Sequence, residues 1–421
     1  MEKYEKLQMI KSEVRDKVLQ RAKKTAFDYR VDETAMRRQI ELVLESVVQS
    51  KMDGQLEDDL RRYIVEEVIN EIFGFGPIDR LITDPAVWEI MVNGPKEVYV
   101  EREGKLQKAD VFFENEAQLF FYIERILSPS GRRVSETEPY IDARLPDGSR
   151  INVVRAPVAP YGPILTIRKA NRRILGLSDL IARRTLDDRA ARFLKSCVKN
   201  HLNIIIAGGP GSGKTTILNL LSVYIQEHER VITIEDTLEL RMENKHRVAM
   251  ETRPSNIEGK GEITIRDLVR NALHMRPDRV IIGEVRGEEA LDMLQVMNIG
   301  RVGSMTTMHA NTGLDALLRL ETMAMMGSVN VSAAMIRRQI ISAIDLVIVA
   351  DRLPDGSRKV MAISEVTKEH TSDYVLKDIF AAERRHENDQ VIFELKPTGH
   401  VPAFLERFLD ADAIKEDLKV T

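Results

Sequence analysis

The sequence has little of what marks several protein classes. It contains one cysteine, Cys197, in 421 residues, so it can form neither an intramolecular disulfide framework nor a cysteine-based zinc module. Its 62 basic and 66 acidic residues give a formal net charge of −4, whereas nucleic-acid-binding proteins usually carry a basic excess or patch. The composition therefore excludes a disulfide scaffold and gives nucleic-acid binding little support.

Long apolar runs are also missing. No run approaches the roughly 18 apolar residues that a membrane span needs, and the charged opening segment MEKYEKLQMIKSEVRDK has no apolar core of the signal-peptide type. Hydrophobic residues make up 43% of the chain and charged residues 30%, which is ordinary for a globular protein. We expect a reducing, cytoplasmic compartment and two or three domains.

The spacing of apolar residues changes along the chain. Residues 1–73 carry apolar residues at helical spacing and predict an N-terminal helical module, which ends at a glycine- and proline-rich break. Residues 78–170 contain short β-rich runs and one helical run, Glu116–Leu127. This second segment predicts a smaller α+β domain.

Residues 175–365 alternate strand-like and helix-like segments, as a parallel α/β sheet requires. The predicted strands are Asn203–Ala207, Val231–Glu235, Arg247–Met250, Val280–Ile282, Gly303–Met308 and Leu346–Val349. Residues 366–421 are predicted as a charged C-terminal extension with a short helix at Val401–Phe408. The hexapeptide LPDGSR occurs at 145–150 and 353–358 between unlike flanks, which predicts repeated turn chemistry rather than a domain repeat.

The strongest motif is GGPGSGKT at 208–215, which fits GxxxxGK[ST]. It lies between an apolar strand and a helical run, where glycines let backbone N–H groups turn towards phosphate and the helix start adds positive potential. Lys214 would neutralise phosphate charge, and the Thr215 hydroxyl would ligate Mg²⁺. A glycine-rich turn that matches by chance is the alternative, which the flanking strand and helix disfavour. The candidate nucleotide-binding residues are Gly208, Gly209, Pro210, Gly211, Ser212, Gly213, Lys214, Thr215 and Thr216.

Two other apolar strands end in acidic residues. Glu284 follows the strand in RVIIGEVR, at the sheet edge where α/β proteins bind ligands, and its carboxylate could hold Mg²⁺ directly or through a water. Glu235 and Asp236 follow VITI, and a carboxylate there could orient or deprotonate the water that attacks the γ-phosphate. For both strands, a solvated acid at the strand end is the alternative.

The segment GSMTTMHANT ends a further strand in polar residues. Its His309 either senses the γ-phosphate or is an ordinary structural histidine. In the α+β segment, Arg144, Arg155 and Arg168 are candidate phosphate-contacting arginines, because neighbouring domains often supply arginines that offset transition-state charge. For any single one of them, an ordinary surface arginine is the favoured alternative. Arg150 lies inside the first LPDGSR turn and is expected to face solvent.

Together, GGPGSGKT, ITIEDTLEL, RPDRVIIGEVRG and GSMTTMHANT resemble the Walker A, Asp box, Walker B and His box segments of the secretion ATPase superfamily. Members of that superfamily power type II secretion, type IV secretion and type IV pili. Within it, YIDARLPDGSRINVVRAP and SMTTMHANTGLDALLRLETM are most similar to the TadA/CpaF-type ATPases of Flp (tight adherence) pili. The missing cysteine module argues against the PilB/GspE export branch.

The resemblance implies an α/β fold, in which a RecA-like P-loop NTPase domain is preceded by a smaller, PAS-like α+β domain and an N-terminal helical module. It implies a Mg²⁺-dependent ATPase that forms a homohexameric ring, binds ATP between its two ATPase domains and turns a platform protein at the cytoplasmic face of the inner membrane. It assigns catalytic roles to Lys214, Glu235, Glu284 and His309. The alternatives are a type IV or type II secretion motor, a nucleic-acid translocase, a small-molecule P-loop kinase and a non-catalytic nucleotide-binding scaffold.

Overall fold

A computed structural model gives the fold of most of the chain. The residues that it describes are 9–18, 33–51, 56–72, 74–102, 104–145, 147–170, 176–242, 244–253, 255, 260–300, 303–327, 331–369, 372–387 and 390–420. The chain divides into two compact units, Met1–Asn171 and Arg172–Thr421. None of the described helices combines the length and the apolar character that spanning a bilayer requires.

Amphipathic helices begin the first unit. They are α1 at residues 9–18, α2 at Glu33–Lys51 and α3 at Asp58–Ile72. Each buries one face against the others, because apolar residues recur every three or four positions. The buried residues include Ile10, Val14, Ile40, Val47, Ile64 and Val68. The predicted helical spacing is therefore confirmed here, while residues 1–8, 19–32, 52–55 and 73 of the predicted module lie outside the described residues.

The rest of the first unit is built on an antiparallel sheet, here called the small sheet. Its described strands have the order β3-β2-β1-β6-β5-β4. They are β1 (Val87–Asn93), β2 (Val98–Arg102), β3 (Lys105–Lys108), β4 (Tyr140–Arg144), β5 (Arg150–Val154) and β6 (Ile164–Arg168), with α4 at Asp79–Thr83 and α5 at Glu116–Leu127. Helix α5 begins at Asn115, whose side chain accepts from the N–H of Gln118. Its apolar face packs on one side of the sheet.

The second unit is built on a mostly parallel sheet, here called the large sheet. Its described strands have the order β15-β14-β13-β12-β7-β11-β10-β8-β9. They are β7 (Ile204–Gly208), β8 (Val231–Glu235), β9 (Arg247–Glu251), β10 (Arg279–Ile282), β11 (Met305–Met308), β12 (Leu346–Arg352), β13 (Arg358–Val366), β14 (Leu376–Glu387) and β15 (Gln390–Pro397). The helices are α6 (Leu177–Ala182), α7 (Asp188–Lys199), α8 (Lys214–Ser222), α9 (Ile265–Ala272), α10 (Glu289–Asn298), α11 (Gly313–Met326), α12 (Ala333–Ala343) and α13 (Ala411–Asp417).

The central strands of the large sheet are buried along their whole length. Every residue of β7, β8, β10 and β11 is buried, because helices cover both faces of a parallel sheet, and this explains their continuous apolar runs. Neighbouring strands among these four pair in parallel. Their carboxyl ends therefore meet at one edge, which places the four sequence motifs together.

The two LPDGSR segments form the same turn, as the sequence predicts. Gly148 and Gly356 have φ values of +89° and +85°, which glycine adopts without a steric penalty. In each turn the preceding aspartate accepts from the N–H of the following serine, at 3.0 Å and 2.8 Å. The first turn joins β4 to β5 and the second joins β12 to β13.

The segment after residue 366 differs most from the sequence-based expectation. Strands β14 and β15 extend the large sheet, so much of the predicted extension belongs to it. Of the side chains described in these strands, only some are buried, including Ile379, Phe380 and Leu395, and the charged residues of the two strands hid the strand pattern. The helix expected at Val401–Phe408 is a 3₁₀ turn at Ala403–Arg407.

Candidate nucleotide site

The glycine-rich segment forms the turn between β7 and α8. Gly211 and Gly213 have φ values of +69° and +96°, which residues with a Cβ rarely adopt. Gly208 is needed for a different reason, since a Cβ there would lie 2.3 Å from the carbonyl oxygen of Ala350. Helix α8 starts at Lys214, so the N–H groups of its first turn, including that of Thr215, are available to an anion.

The side chain of Lys214 lies along this turn. Its Nζ donates to the carbonyl oxygens of Gly208 and Gly209, at 3.0 Å each, and lies 3.3 Å from Nδ1 of His309. The residue is 8% exposed. The hydroxyl of Ser212 is buried and has no hydrogen-bond partner among the described residues. A buried ammonium group and an unsatisfied hydroxyl thus lie on the turn where a phosphate would be received.

Glu284 and His309 follow the adjacent parallel strands β10 and β11. Nε2 of His309 lies 2.9 Å from Oε1 of Glu284, while Oε2 accepts from Nη2 of Arg286 at 2.7 Å. Burial, helped by the nearby Lys214 ammonium, lowers the pKa of His309 below its ordinary value. A neutral imidazole can accept from Lys214 through Nδ1 and present Nε2–H to Glu284. The structure therefore brings Lys214, His309 and Glu284 into one contact chain.

Glu235 ends β8, next to β10, and is 2% exposed. Its Oε2 accepts from the backbone N–H groups of Glu239 and Leu240, at 2.7 Å and 2.8 Å. Its Oε1 has no hydrogen-bond partner in the described part of the chain and lies 3.8 Å from Nη2 of Arg247. Burial raises the pKa of this carboxyl. One anchored oxygen, one available oxygen and a raised pKa are properties that suit a general base.

The acidic side chains of the site suit a Mg²⁺ ion that is bound mainly by a phosphate ligand and water. Among the described residues, no group of three His, Cys, Asp or Glu side chains could hold a metal ion. Mg²⁺ commonly binds through one or two protein groups, substrate phosphates and water. Oε1 of Glu284 is buried and, apart from its 2.9 Å contact with Nε2 of His309, has no partner among the described residues, and Thr215 is the second residue of α8. Glu284 and Thr215 could therefore be the one or two protein groups that bind such a Mg²⁺ ion.

The candidate arginines lie in the first unit, at two different places. Arg144, Arg150 and Arg168 are in register across β4, β5 and β6, and directly opposite residues share a face of an antiparallel sheet. Arg155 follows β5, and its guanidinium lies 4.8 Å from the ring centre of Phe120. Arg150, expected to face solvent, is half-buried because the register places it between the other two.

Sequence reasoning missed Arg352 and Arg358, which face each other across the second LPDGSR turn. Nε of Arg358 donates to the carbonyl oxygen of Gly211 at 2.8 Å. A Cβ on Gly211 would lie 3.3 Å from Nη1 of Arg352. Two cationic side chains therefore rest on the glycine-rich turn. The repeated hexapeptide was the available signal, since Arg358 has the same position in it as Arg150.

Comparison with known proteins identifies the family. Residues 71–391 match the family described as "Type II/IV secretion system protein". The chain belongs to this family. It is 31% identical over 300 residues to a putative conjugal transfer protein of Mycobacterium tuberculosis, covering 70% of this chain and 85% of that protein. It is 30% identical over 326 residues to the type IV secretion system protein VirB11 of Bartonella quintana, covering 68% and 90%.

A solved structure supports the same fold. The ATPase DotB of Legionella pneumophila matches with a TM-score of 0.52 at 20% identity, covering 70% of this chain and 82% of that chain. By this likeness the chain is an α/β protein with a RecA-like P-loop unit. Its membership of the Type II/IV secretion family assigns it nucleotide binding and ATPase activity. These findings confirm the predictions of superfamily, fold class and ATPase activity.

Proposed function

We propose that this secretion ATPase is a motor of the TadA/CpaF branch, which couples ATP hydrolysis to assembly of a Flp (tight adherence) pilus. The main structural support for an ATPase site is the contact chain from Lys214 through His309 to Glu284, which lies at one edge of a parallel sheet. The pilus branch is supported by the segments around Arg144 and His309, by the N-terminal helices and by the absence of a cysteine module. Retraction of the same pilus is a second use of such a motor.

Each residue of the site then has a role in hydrolysis. Residues 208–216 bind the phosphates, and Lys214 offsets their charge. Thr215 and Glu284 would hold Mg²⁺, directly or through water, and the cation would supply positive charge that offsets the charge of the phosphates. Glu235 takes a proton from the attacking water, and His309 senses the γ-phosphate beside Glu284.

Arg144, Arg155 and Arg168 are proposed as phosphate-contacting arginines. The register that places Arg144 and Arg168 with Arg150 supports a shared arginine surface. Arg155 has a weaker case, because its guanidinium stacks over Phe120 and lies 4.0 Å from Glu136. Alanine variants of the three, assayed for turnover and ATP affinity, test the assignment: near-normal turnover in all of them would remove it.

The working form is a homohexameric ring at the cytoplasmic face of the inner membrane, with platform proteins of the pilus machine as partners. A motor that moves protein subunits needs no nucleic acid, which agrees with the formal net charge of −4. Electron microscopy of the purified chain, with and without a non-hydrolysable ATP analogue, tests the ring. Monomers under both conditions would contradict it.

The function itself is tested by deleting the gene in the source organism and restoring wild type or the Lys214→Ala variant. We expect thin surface pili to disappear on deletion and to return with wild type alone. The relatives include a conjugal transfer protein and a type IV secretion protein, so export and DNA transfer should be scored in the same strains. Intact pili with lost export would favour a type IV or type II secretion motor. Strong stimulation of the purified ATPase by DNA would favour a translocase.

A further inference from the structure

The turn between β10 and α10 directs one arginine towards the site. Glu289, the first residue of α10, is 9% exposed. Its Oε1 accepts from the backbone N–H groups of Arg286 and Gly287, at 2.6 Å and 2.9 Å. Such a carboxylate is favourable at a helix start and constrains the preceding turn. The course of the chain before α10 is therefore set by a buried side chain rather than by solvent.

The guanidinium of Arg286 connects the acids that end two neighbouring strands. Nη2 donates to Oε2 of Glu284 at 2.7 Å, and Nη1 lies 3.6 Å from Oδ2 of Asp236. These acids follow β10 and β8, which pair in parallel, and Glu235 ends β8 as well. Two carboxylates within reach of one guanidinium repel one another, and a cation between them offsets that repulsion. Arg286 supplies that cation.

Arg286 also determines how Glu284 is presented. One carboxylate oxygen of Glu284 faces Nε2 of His309 at 2.9 Å, and the other accepts from Arg286. A carboxylate held at both oxygens has one orientation, whereas one held at a single oxygen can rotate. The bond to Arg286 is therefore part of what keeps Glu284 aimed at His309.

We propose that Arg286 is a positioning residue for ATP hydrolysis, which orients Glu284 and competes with a divalent cation for the same carboxylate. This inference rests on the proposed role of Glu284 in holding Mg²⁺. Two expected consequences distinguish a positioning role of Arg286 from that of an ordinary ion pair. Loss of the arginine should make the carboxylate more attractive to Mg²⁺, because a positive charge is removed, and should slow turnover, because the carboxylate is no longer oriented.

The chain offers a matched control in Arg270. It donates to Oδ1 of Asp292 at 2.8 Å, and its side chain is 56% exposed, compared with 57% for Arg286. Asp292 lies on α10 and ends no strand of the sheet. The Arg270→Ala variant therefore removes an arginine of similar exposure from an ion pair of similar length in the same unit, but leaves Glu284 and Asp236 as they are.

The test uses the full chain in four forms: wild type, Arg286→Ala, Arg286→Lys and Arg270→Ala. Equilibrium binding of a fluorescent ADP analogue is titrated with Mg²⁺, and ATP turnover is measured over the same Mg²⁺ range. For Arg286→Ala we expect the half-saturating Mg²⁺ concentration to fall about three- to fivefold, as loss of one nearby charge in a partly solvated site predicts. We expect kcat to fall about tenfold or more through lost orientation.

The lysine variant keeps the charge but loses the planar fork. It should keep the wild-type Mg²⁺ dependence in the binding assay and regain only part of the turnover. Arg270→Ala should stay within about twofold of wild type in both assays, because Asp292 ends no strand at the site and keeps its ion pair with Arg266 at 2.8 Å. Agreement with this pattern supports a positioning role, because a merely structural residue would not shift the Mg²⁺ dependence of nucleotide binding.

Two results would overturn the proposal. One is a loss of turnover in Arg286→Ala with an unchanged Mg²⁺ dependence, and the other is behaviour equal to that of Arg270→Ala. Failure of the proposed function looks different, since wild type would then show no Mg²⁺-dependent nucleotide binding or turnover. If wild type binds and hydrolyses normally, a negative result refutes the role of Arg286 alone.

Discussion

Replacing Glu235 by glutamine separates its structural contacts from its chemistry. Oε2 anchors the loop after β8 by accepting from two backbone N–H groups, while Oε1 has no hydrogen-bond partner among the described residues. A glutamine carbonyl oxygen can accept both N–H groups, so Glu235→Gln should cost less than about 1 kcal/mol of stability. Glu235→Ala loses both bonds and should cost about 2–4 kcal/mol, at roughly 1–2 kcal/mol for each buried bond.

Turnover should respond differently from stability. General-base catalysis contributes about 10²- to 10⁴-fold, so Glu235→Gln should lose that much of kcat while its ATP affinity stays within about threefold of wild type, since substrate binding does not need the base. The assays are steady-state phosphate release, equilibrium nucleotide binding and thermal unfolding. Glu251→Gln is the control, because Glu251 ends the neighbouring strand in register with Glu235 and also accepts a backbone N–H, but is exposed. The control should keep turnover within about twofold, as is usual for an exposed substitution.

The raised pKa of Glu235 gives a pH signature with a definite sign. A base works when deprotonated, so wild-type turnover should fall as the pH drops through a value above the ordinary carboxyl pKa. The residual rate of Glu235→Gln should lack this acidic limb. Because the folded-state pKa is raised, wild type should lose stability relative to the glutamine variant as the pH rises through the same interval. Retention of more than a tenth of kcat by Glu235→Gln would refute the general-base assignment.

Other substitutions follow from the same contacts. Arg279 is fully buried on a glutamate and two carbonyl oxygens, so Arg279→Ala should lower the free energy of unfolding by about 3–5 kcal/mol in chemical denaturation; a loss below 1 kcal/mol would contradict this. A Cβ on Gly283 would lie 3.0 Å from Cγ of Glu235, so Gly283→Ala should reduce kcat about tenfold or more by displacing the carboxylate, with little change in ATP affinity. Arg358→Ala frees the carbonyl oxygen of Gly211. Because one charge-assisted hydrogen bond to the turn is lost, ATP binding should weaken about three- to tenfold in a calorimetric titration. Unchanged affinity would show that this contact does not contribute to ATP binding.

The sequence predicts the parts of this protein that depend on local chemistry. The glycine-rich turn, the buried strands of the large sheet and helix α5 follow from positive-φ requirements, continuous apolar runs and helical periodicity. The strand-end acids could be assigned to one edge because parallel strands place their carboxyl ends together. For these elements, short-range physics and the polarity pattern agree.

The structural features that could not be predicted from the sequence depend on long-range contacts. Where their side chains are described, β14 and β15 are partly exposed and rich in charged residues, so only pairing with β13 makes them recognisable. The contact of Arg358 with Gly211 joins residues 147 positions apart, and the alignment of Arg150 with Arg168 depends on strand register. Contacts between distant residues produce no periodic pattern within a single segment, so they cannot be predicted from that segment alone.

The central claim is that the site around the β7–α8 turn hydrolyses ATP, and the most direct test is turnover by the purified chain and its Lys214→Ala variant. Lys214 lies buried on the turn and contacts His309, and the lysine of such a turn is the group that offsets the charge of the β- and γ-phosphates. We predict Mg²⁺-dependent phosphate release by wild type, and loss of at least about 100-fold of it in the variant while the fold, checked by circular dichroism, is kept. Turnover within threefold of wild type in a folded Lys214→Ala protein would contradict the account.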